Sequence, residues 1–245
     1  MMYVGLLMIR DEEDILERVL ATHAEIVDAF YVLDGSATRQ SEDICRSYRR
    51  CYGYWTDAQL PPEYGTLPRD GWRQFIYNEA RGELGADNWF LLLHGDEVWT
   101  FDPRDVVAAY PGRTGFGFRL PFYFPRAAEG WDDSKHPLDQ LRWRLGPGWP
   151  EFRMFYGGTD VNFALDQHFN TTPSGVGNLS MLPLEIKHYP YRAPAHEIER
   201  ARRHEVTHFD PENYRHVSQE GLTLWDDDLI SRFQGHPYFE ELTCD

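Results

Sequence analysis

The sequence predicts an α/β fold built around a mainly parallel sheet, and three observations carry that prediction. Short apolar runs alternate with amphipathic stretches over roughly the first hundred residues. Each run ends abruptly in charged or turn-forming residues. The connections between runs are long enough for right-handed helical crossovers and too long for hairpins.

The first strand covers residues 2–9, through YVGLLMI, apolar throughout and bounded by charge, as expected of a buried strand. A helix follows, with Asp11 as its expected N-cap, Asp14 in the first turn, and Ile15, Leu16, Val19, Leu20, Ile26 and Val27 on one side. AFYVLD (29–34) reads as the second strand, GSATRQ as a turn, and SEDICRSYRR as the second helix. CYGYW (51–55) reads as a third strand, and the Pro- and Gly-rich DAQLPPEYGTLPRDG as a loop. A third helix over 70–84 places Trp72, Phe75, Ile76, Ala80 and Leu84 on one side. NWFLLLHGDEVW (88–99) is the fourth strand, stopping at a histidine, a glycine and two acids. A parallel order brings the carboxyl ends of strands one, two and four to one edge, where open α/β sheets bind ligands.

Beyond residue 100 the pattern changes. GFGFRLPFYF (115–124) alternates Phe116, Phe118, Leu120, Phe122 and Phe124 as a strand with one buried face would, and 125–150 reads as an irregular loop. EFRMFY, FALDQHF and MLPLEIKHY read as further strands and APAHEIERARRHE as a helix, while the last 35 or so residues show little periodicity. No repeat or linker divides the 245 residues, so a single domain is expected.

A formal net charge of -16 argues against general nucleic-acid or anionic-membrane binding, which rests on clustered Lys and Arg. Cys45, Cys51 and Cys244 form neither a paired framework nor a CxxC motif, which suits a reducing compartment. With no basic-then-apolar leader and no run near the roughly 20 apolar residues of a membrane span, the sequence reads as cytoplasmic.

A first strand ending in IRDEED, a second ending in LDGSAT, and LLLHGDE after a helix containing Arg73 together resemble the family 2 glycosyltransferases of the GT-A fold. The resemblance covers about residues 2–100 and returns at EFRMFY and IKHYPYR. It implies a GT-A-like α/β/α sandwich with a mixed, mainly parallel sheet, residues 1–100 holding nucleotide and metal and 101–245 holding the acceptor. It also implies inverting, metal-dependent transfer of a hexose from a nucleoside diphosphate sugar to a hydroxyl. The cofactor is then a divalent cation, Mn²⁺ or Mg²⁺, which neutralises the departing diphosphate without proton transfer.

By the same resemblance Asp96 matches the last aspartate of the Asp-x-Asp motif and Glu97 the acid after it, both as metal ligands with His188 of IKHYPYR. His94 stands where the family has the motif's first aspartate. Arg10 and Glu12 fall in the nucleotide-binding first loop, Asp34 matches the acid that contacts base or ribose, and Arg73 and Arg192 match family arginines. The family's catalytic carboxylate has no counterpart, since Phe169 follows His168 where a glutamate is expected. Asp166 and Asp160 are the first candidates for the base, with His168 and Asp133 behind them. Trp131, Trp143 and Trp149 suit either sugar stacking or the packing of a lid.

Two other readings stay open. A protein that lacks the base and only binds a nucleotide sugar has the same first half. His94-x-Asp96 with a distant His188 and Arg192 also imitates the two-histidine, one-carboxylate triad of iron(II), 2-oxoglutarate oxygenases, although that triad sits in an all-β jelly roll.

Overall fold

The structure is a computed structural model that describes residues 1–36, 38–64, 70–126, 129–163, 172–190, 192, 217–218, 221–222, 234 and 241–244. It has the α/β class expected, with a mixed sheet. The elements are β1 (Tyr3–Ile9), α1 (Leu16–Ile26), β2 (Ala29–Asp34), α2 (Gln40–Ser47), β3 (Cys51–Thr56), α3 (Asp70–Leu84), β4 (Trp89–His94) and β5 (Glu97–Trp99). They continue with α4 (Pro103–Ala109), β6 (Gly115–Phe124), β7 (Trp143–Tyr156), β8 (Leu179–His188), the short β9 (Val217–Ser218) and β10 (Gly221–Leu222), and β11 (Glu241–Cys244).

The main sheet runs β3-β2-β1-β4-β7-β6-β8-β5, with β11 also pairing with β7. Strands β3, β2, β1 and β4 are mutually parallel, and β4 meets β7 antiparallel. Every residue of β1 and β2 is buried, because helices cover both faces; this is why their sequences are continuous apolar runs. On one face Val4, Leu6, Met8, Tyr31, Leu33, Phe90 and Leu92 pack with Trp72, Phe75, Ile76 and Tyr77 of α3.

Register fixes the functional edge. Ile9 pairs with Asp34 and Met8 with His94, so the residues after β1, β2 and β4 emerge side by side. The sheet also curls. In a flat sheet the four spacings from β4 to β5 would span about 19 Å, whereas three Cα steps from His94 to Glu97 reach at most about 11 Å. Gly95 and Asp96 are therefore the two residues that carry the chain across the closing seam.

Contacts divide the chain into two compact units, Met1–Arg119 with Pro150–Ile186, and Leu120–Trp149 with Lys187–Asp245. In the second unit β11 runs antiparallel to the start of β7, the Tyr123 and Tyr189 rings lie 5.1 Å apart, and the Lys187 ammonium sits 4.8 Å from the Tyr123 ring centroid. No helix among the described residues is long and apolar enough to cross a membrane.

Four local expectations change. Asp11 is not an N-cap: it takes the left-handed conformation, φ 62°, and α1 begins at Leu16 after a turn in which the Ile15 and Leu16 N–H groups donate to the Glu12 carbonyl. The segment 125–150 is not all loop, since β7 begins at Trp143. Strand β6 is buried on both faces over most of its length, because its glycines let neighbours close in; a Cβ on Gly117 would lie 2.3 Å from the Met181 sulfur. Helix α4 was not expected, although Asp102 caps it by accepting from the Arg104 N–H at 2.8 Å and Pro103 opens it. The expected strand over 163–169 and helix over 193–205 fall almost wholly outside the described residues.

Candidate functional site

The edge formed by β1, β2 and β4 gathers charge that the fold has buried. Glu12, Asp34, Arg73, Asp96 and Glu97 are all buried, with Arg73 and Glu97 at 0% exposure. Burying a charge costs several kcal/mol unless it is paired or neutralised, so five at one edge call for a chemical reason.

From β1, the left-handed turn at Asp11 reverses the chain so that Glu12 folds back over the strand end. Its Oε2 accepts from the Arg10 N–H, and its carboxylate lies against Gly95, where a Cβ would stand 2.8 Å from that oxygen. Any side chain at 95 would push on the Glu12 carboxylate. The Asp11 N–H donates to Ser36 Oγ at 2.8 Å, tying the β1 loop to the β2 loop.

From β2, Asp34 accepts from the Ser36 N–H at 2.7 Å and from the Tyr54 hydroxyl of β3. Burial pushes its carboxyl above the usual carboxylate range, and those hydrogen bonds pull against the shift without cancelling it. Burial likewise raises the Tyr54 hydroxyl, and its bond to Asp34 adds to the effect. Gly35 lies over the edge of the Trp72 indole, where a Cβ would come within 2.9 Å.

From β4, His94 is held on both sides: Nε2 lies 3.1 Å from Arg73 Nη2, and Nδ1 lies 3.2 Å from Glu97 Oε1. Glu97 is gripped from β7 by Arg153, whose Nη2 donates to Oε1 at 2.8 Å and whose Nε donates to Oε2 at 3.2 Å. Arg153 also pairs with Glu151 at 2.5 Å. Burial works against the Arg153 charge, and the Glu151 and Glu97 carboxylates outweigh it, so its pKa is raised. Behind Glu97 lies His23 of α1, 0% exposed, with neither ring nitrogen in a hydrogen bond of standard geometry. Burial lowers its pKa to about 4, and the neighbouring Glu97 opposes that shift only in part.

The ligand atoms of His94, Asp96 and Glu97 lie within 4.8 Å of one another. At that spacing the three could share a metal ion, with its remaining ligands coming from a bound phosphate or water. Asp96 is the carboxylate best suited, because Glu97 already faces a guanidinium.

The remaining expected residues are distributed as follows. Asp160 has a side chain 96% exposed and lies 3.9 Å from Arg81. Arg81 stands eight residues along α3 from Arg73, about 12 Å by helical rise, towards the opposite edge of the sheet. Asp166 and His168 lie outside the described residues. In the second unit, His188 ends β8 with its ring 5.3 Å from that of Phe122. Arg192, also there, is buried and donates to the Tyr189 carbonyl at 3.0 Å. Trp143 lies under the Arg126 guanidinium and donates its indole N–H to Glu129 at 2.8 Å.

The sequence reading passed over Arg153 and His23 as participants in the site. The signal for Arg153 was present, as a charge in the apolar run EFRMFY. His23 gave no signal beyond its place on the apolar face of α1.

Fold and site together define an α/β protein with a cluster of buried charge at the carboxyl edge of a parallel sheet, where open α/β sheets bind ligands. No protein-family model matches the chain, and no curated protein matches it. Among solved structures it is similar to mannosyl-3-phosphoglycerate synthase from Rubrobacter xylanophilus, with a TM-score of 0.45, 14% identity, and coverage of 99% of this chain and 88% of that one. It is also similar to HddC from Yersinia pseudotuberculosis, with a TM-score of 0.40, 10% identity, and coverage of 77% and 93% respectively.

Proposed function

We propose that the chain is a glycosyltransferase that moves a sugar from a nucleoside diphosphate sugar to an acceptor hydroxyl with inversion, using a divalent cation. The observation that carries this reading is the convergence of buried Glu12, Asp34, Arg73 and Asp96 at the shared end of β1, β2 and β4. Anionic diphosphate, polar ribose and base each find a suitable partner there.

In this reading Asp34, with donors already fixing its two oxygens, accepts from the ribose or base. Arg73 presents positive charge towards the diphosphate. The cation, held through Asp96, neutralises charge on the departing diphosphate. Glu12 braces the Gly95 backbone so that the Asp96 loop keeps its place.

Deprotonation of the acceptor falls to Asp166 ahead of Asp160. The Phe163 N–H donates to Gln74 Oε1 at 2.7 Å, next to Arg73 on α3, and Asp166 follows Phe163 by three residues in sequence. Asp160 instead accompanies Arg81.

The test is a thermal-shift panel of sugar nucleotides with and without Mn²⁺, followed by assay of nucleoside diphosphate release with candidate acceptors. Stabilisation by one nucleotide class that depends on Mn²⁺, with release only when acceptor is present, is expected. Stabilisation without release under any acceptor supports a nucleotide-sugar-binding protein instead.

A further inference from the structure

Five side chains from four elements, β7, β5, β4 and α3, form a continuous chain whose middle is buried: Glu151, Arg153, Glu97, His94 and Arg73. Two guanidinium and two carboxylate charges cancel along it. The donor inventory decides the chemistry at its centre. A guanidinium offers only N–H groups, so the 3.1 Å contact of Arg73 Nη2 with His94 Nε2 requires a lone pair on Nε2. An imidazole with its lone pair there carries its hydrogen on Nδ1, which faces Glu97 Oε1 at 3.2 Å. One tautomer satisfies both neighbours, and in it both ring nitrogens are engaged within the chain.

Glu97 is engaged as fully. Both oxygens accept from Arg153, and Oε1 also faces His94. A cation approaching Glu97 would meet the Arg153 guanidinium, 2.8 Å from the same oxygen. Arg153 stands on β7 and Glu97 on β5, strands separated by two others in the sheet order, so their contact spans the curl of the sheet at the point where Gly95 and Asp96 cross it.

We propose that Glu97 and Arg153 are positioning residues and not metal ligands: they clamp His94 as its Nδ1–H tautomer against Arg73, and the clamp fixes the two-residue loop that presents Asp96. The part concerning Asp96 rests on the proposed function; the tautomer does not.

The experiment has two readouts. Long-range ¹H–¹⁵N correlation on the ¹⁵N-labelled, ligand-free protein reports the His94 tautomer: a protonated Nδ1 and an unprotonated Nε2 are expected, shifting towards a mixture in Arg153→Met. An Nε2–H tautomer in the wild type overturns the clamp. Calorimetry then measures Mn²⁺-dependent binding of a nucleoside diphosphate to the wild type, Glu97→Gln, Arg153→Met and the double variant. Removing one partner of a buried pair exposes the other, whereas removing both relieves it. Arg153→Met should therefore weaken binding about tenfold, and the double variant should recover to within about threefold of the wild type. A double variant no better than Glu97→Gln, with both as defective as Asp96→Asn, makes Glu97 a ligand and overturns the proposal. Should Arg153→Met not fold, Arg153→Lys keeps the charge while giving up the two-pronged bond and takes its place. If the wild type shows no Mn²⁺-dependent nucleotide binding, the transferase reading falls, and the tautomer in the wild type and Arg153→Met decides the clamp alone.

Discussion

Arg153 of β7 grips Glu97 of β5 through two hydrogen bonds, of 2.8 and 3.2 Å, in a pair that is at most 1% exposed on either side. The pair closes the curl of the sheet beside the site. Its removal from one side should be costly: Arg153→Met leaves the Glu97 charge buried without its guanidinium, and a loss of about 3–5 kcal/mol is expected in urea unfolding. Substituting both residues by apolar ones of similar volume should restore most of that loss. A single variant within about 1 kcal/mol of the wild type would show that Glu97 finds other compensation.

Acid should destabilise the protein through His23. Its folded pKa of about 4 lies below the ordinary histidine value of 6.5, so between those values the unfolded chain binds more protons than the folded one. Stability is then full above pH 6.5 and falls as pH drops towards 4, by up to about 3 kcal/mol. Asp34, whose folded pKa is raised, acts in the opposite sense, its contribution being fullest at low pH and lost as pH rises through its folded value. Denaturant titrations of wild type and His23→Leu at a series of pH values from 4 to 7 should show the acid-dependent loss only in the wild type. Parallel curves would remove His23 as its source.

Gly95→Ala should couple the two loops visibly. The new Cβ meets Glu12 Oε2 at 2.8 Å, so Glu12 must move off the loop it braces. Overpacking of this kind costs about 1–3 kcal/mol. Nucleotide affinity should fall with it, while Gly82→Ala, inside α3 and meeting nothing within 4 Å, should leave affinity unchanged and raise stability by up to about 1 kcal/mol. Equal affinity in wild type and Gly95→Ala would separate Glu12 from the site.

The base is tested by Asp166→Asn. The variant should bind sugar nucleotide and metal as the wild type does and transfer about 10²–10⁴ times more slowly, the usual worth of a positioned general base. Full activity would direct attention to Asp160, and then to His168 and Asp133.

The parallel half of the fold was legible because buried parallel strands have an unambiguous signature: β1, β2 and β4 are apolar runs that end at or just before a charged or titratable residue. Their register then carried Asp34, His94 and Asp96 to one edge, as the strand order implied. The turn at Asp11 was not legible, because an aspartate ahead of a helix reads as a cap, and only the Glu12 and Ser36 contacts favour the left-handed conformation. The pairing of Glu97 with Arg153 was hidden for a different reason. It depends on the sheet curling until β5 meets β7, a long-range consequence of strand order that no local pattern encodes. The same curl turned Glu97, expected from the sequence as a metal ligand, towards the Arg153 guanidinium.

The central claim, that Asp96 holds a divalent cation against a nucleoside diphosphate, is tested most directly by calorimetric titration of that nucleotide into wild type and Asp96→Asn, each with and without Mn²⁺. The account predicts that Mn²⁺ tightens binding to the wild type by at least about tenfold, as expected for a lost charge-assisted contact, and that Asp96→Asn stays folded and loses the Mn²⁺ dependence. Mn²⁺-dependent affinity that is the same in Asp96→Asn as in the wild type would contradict it.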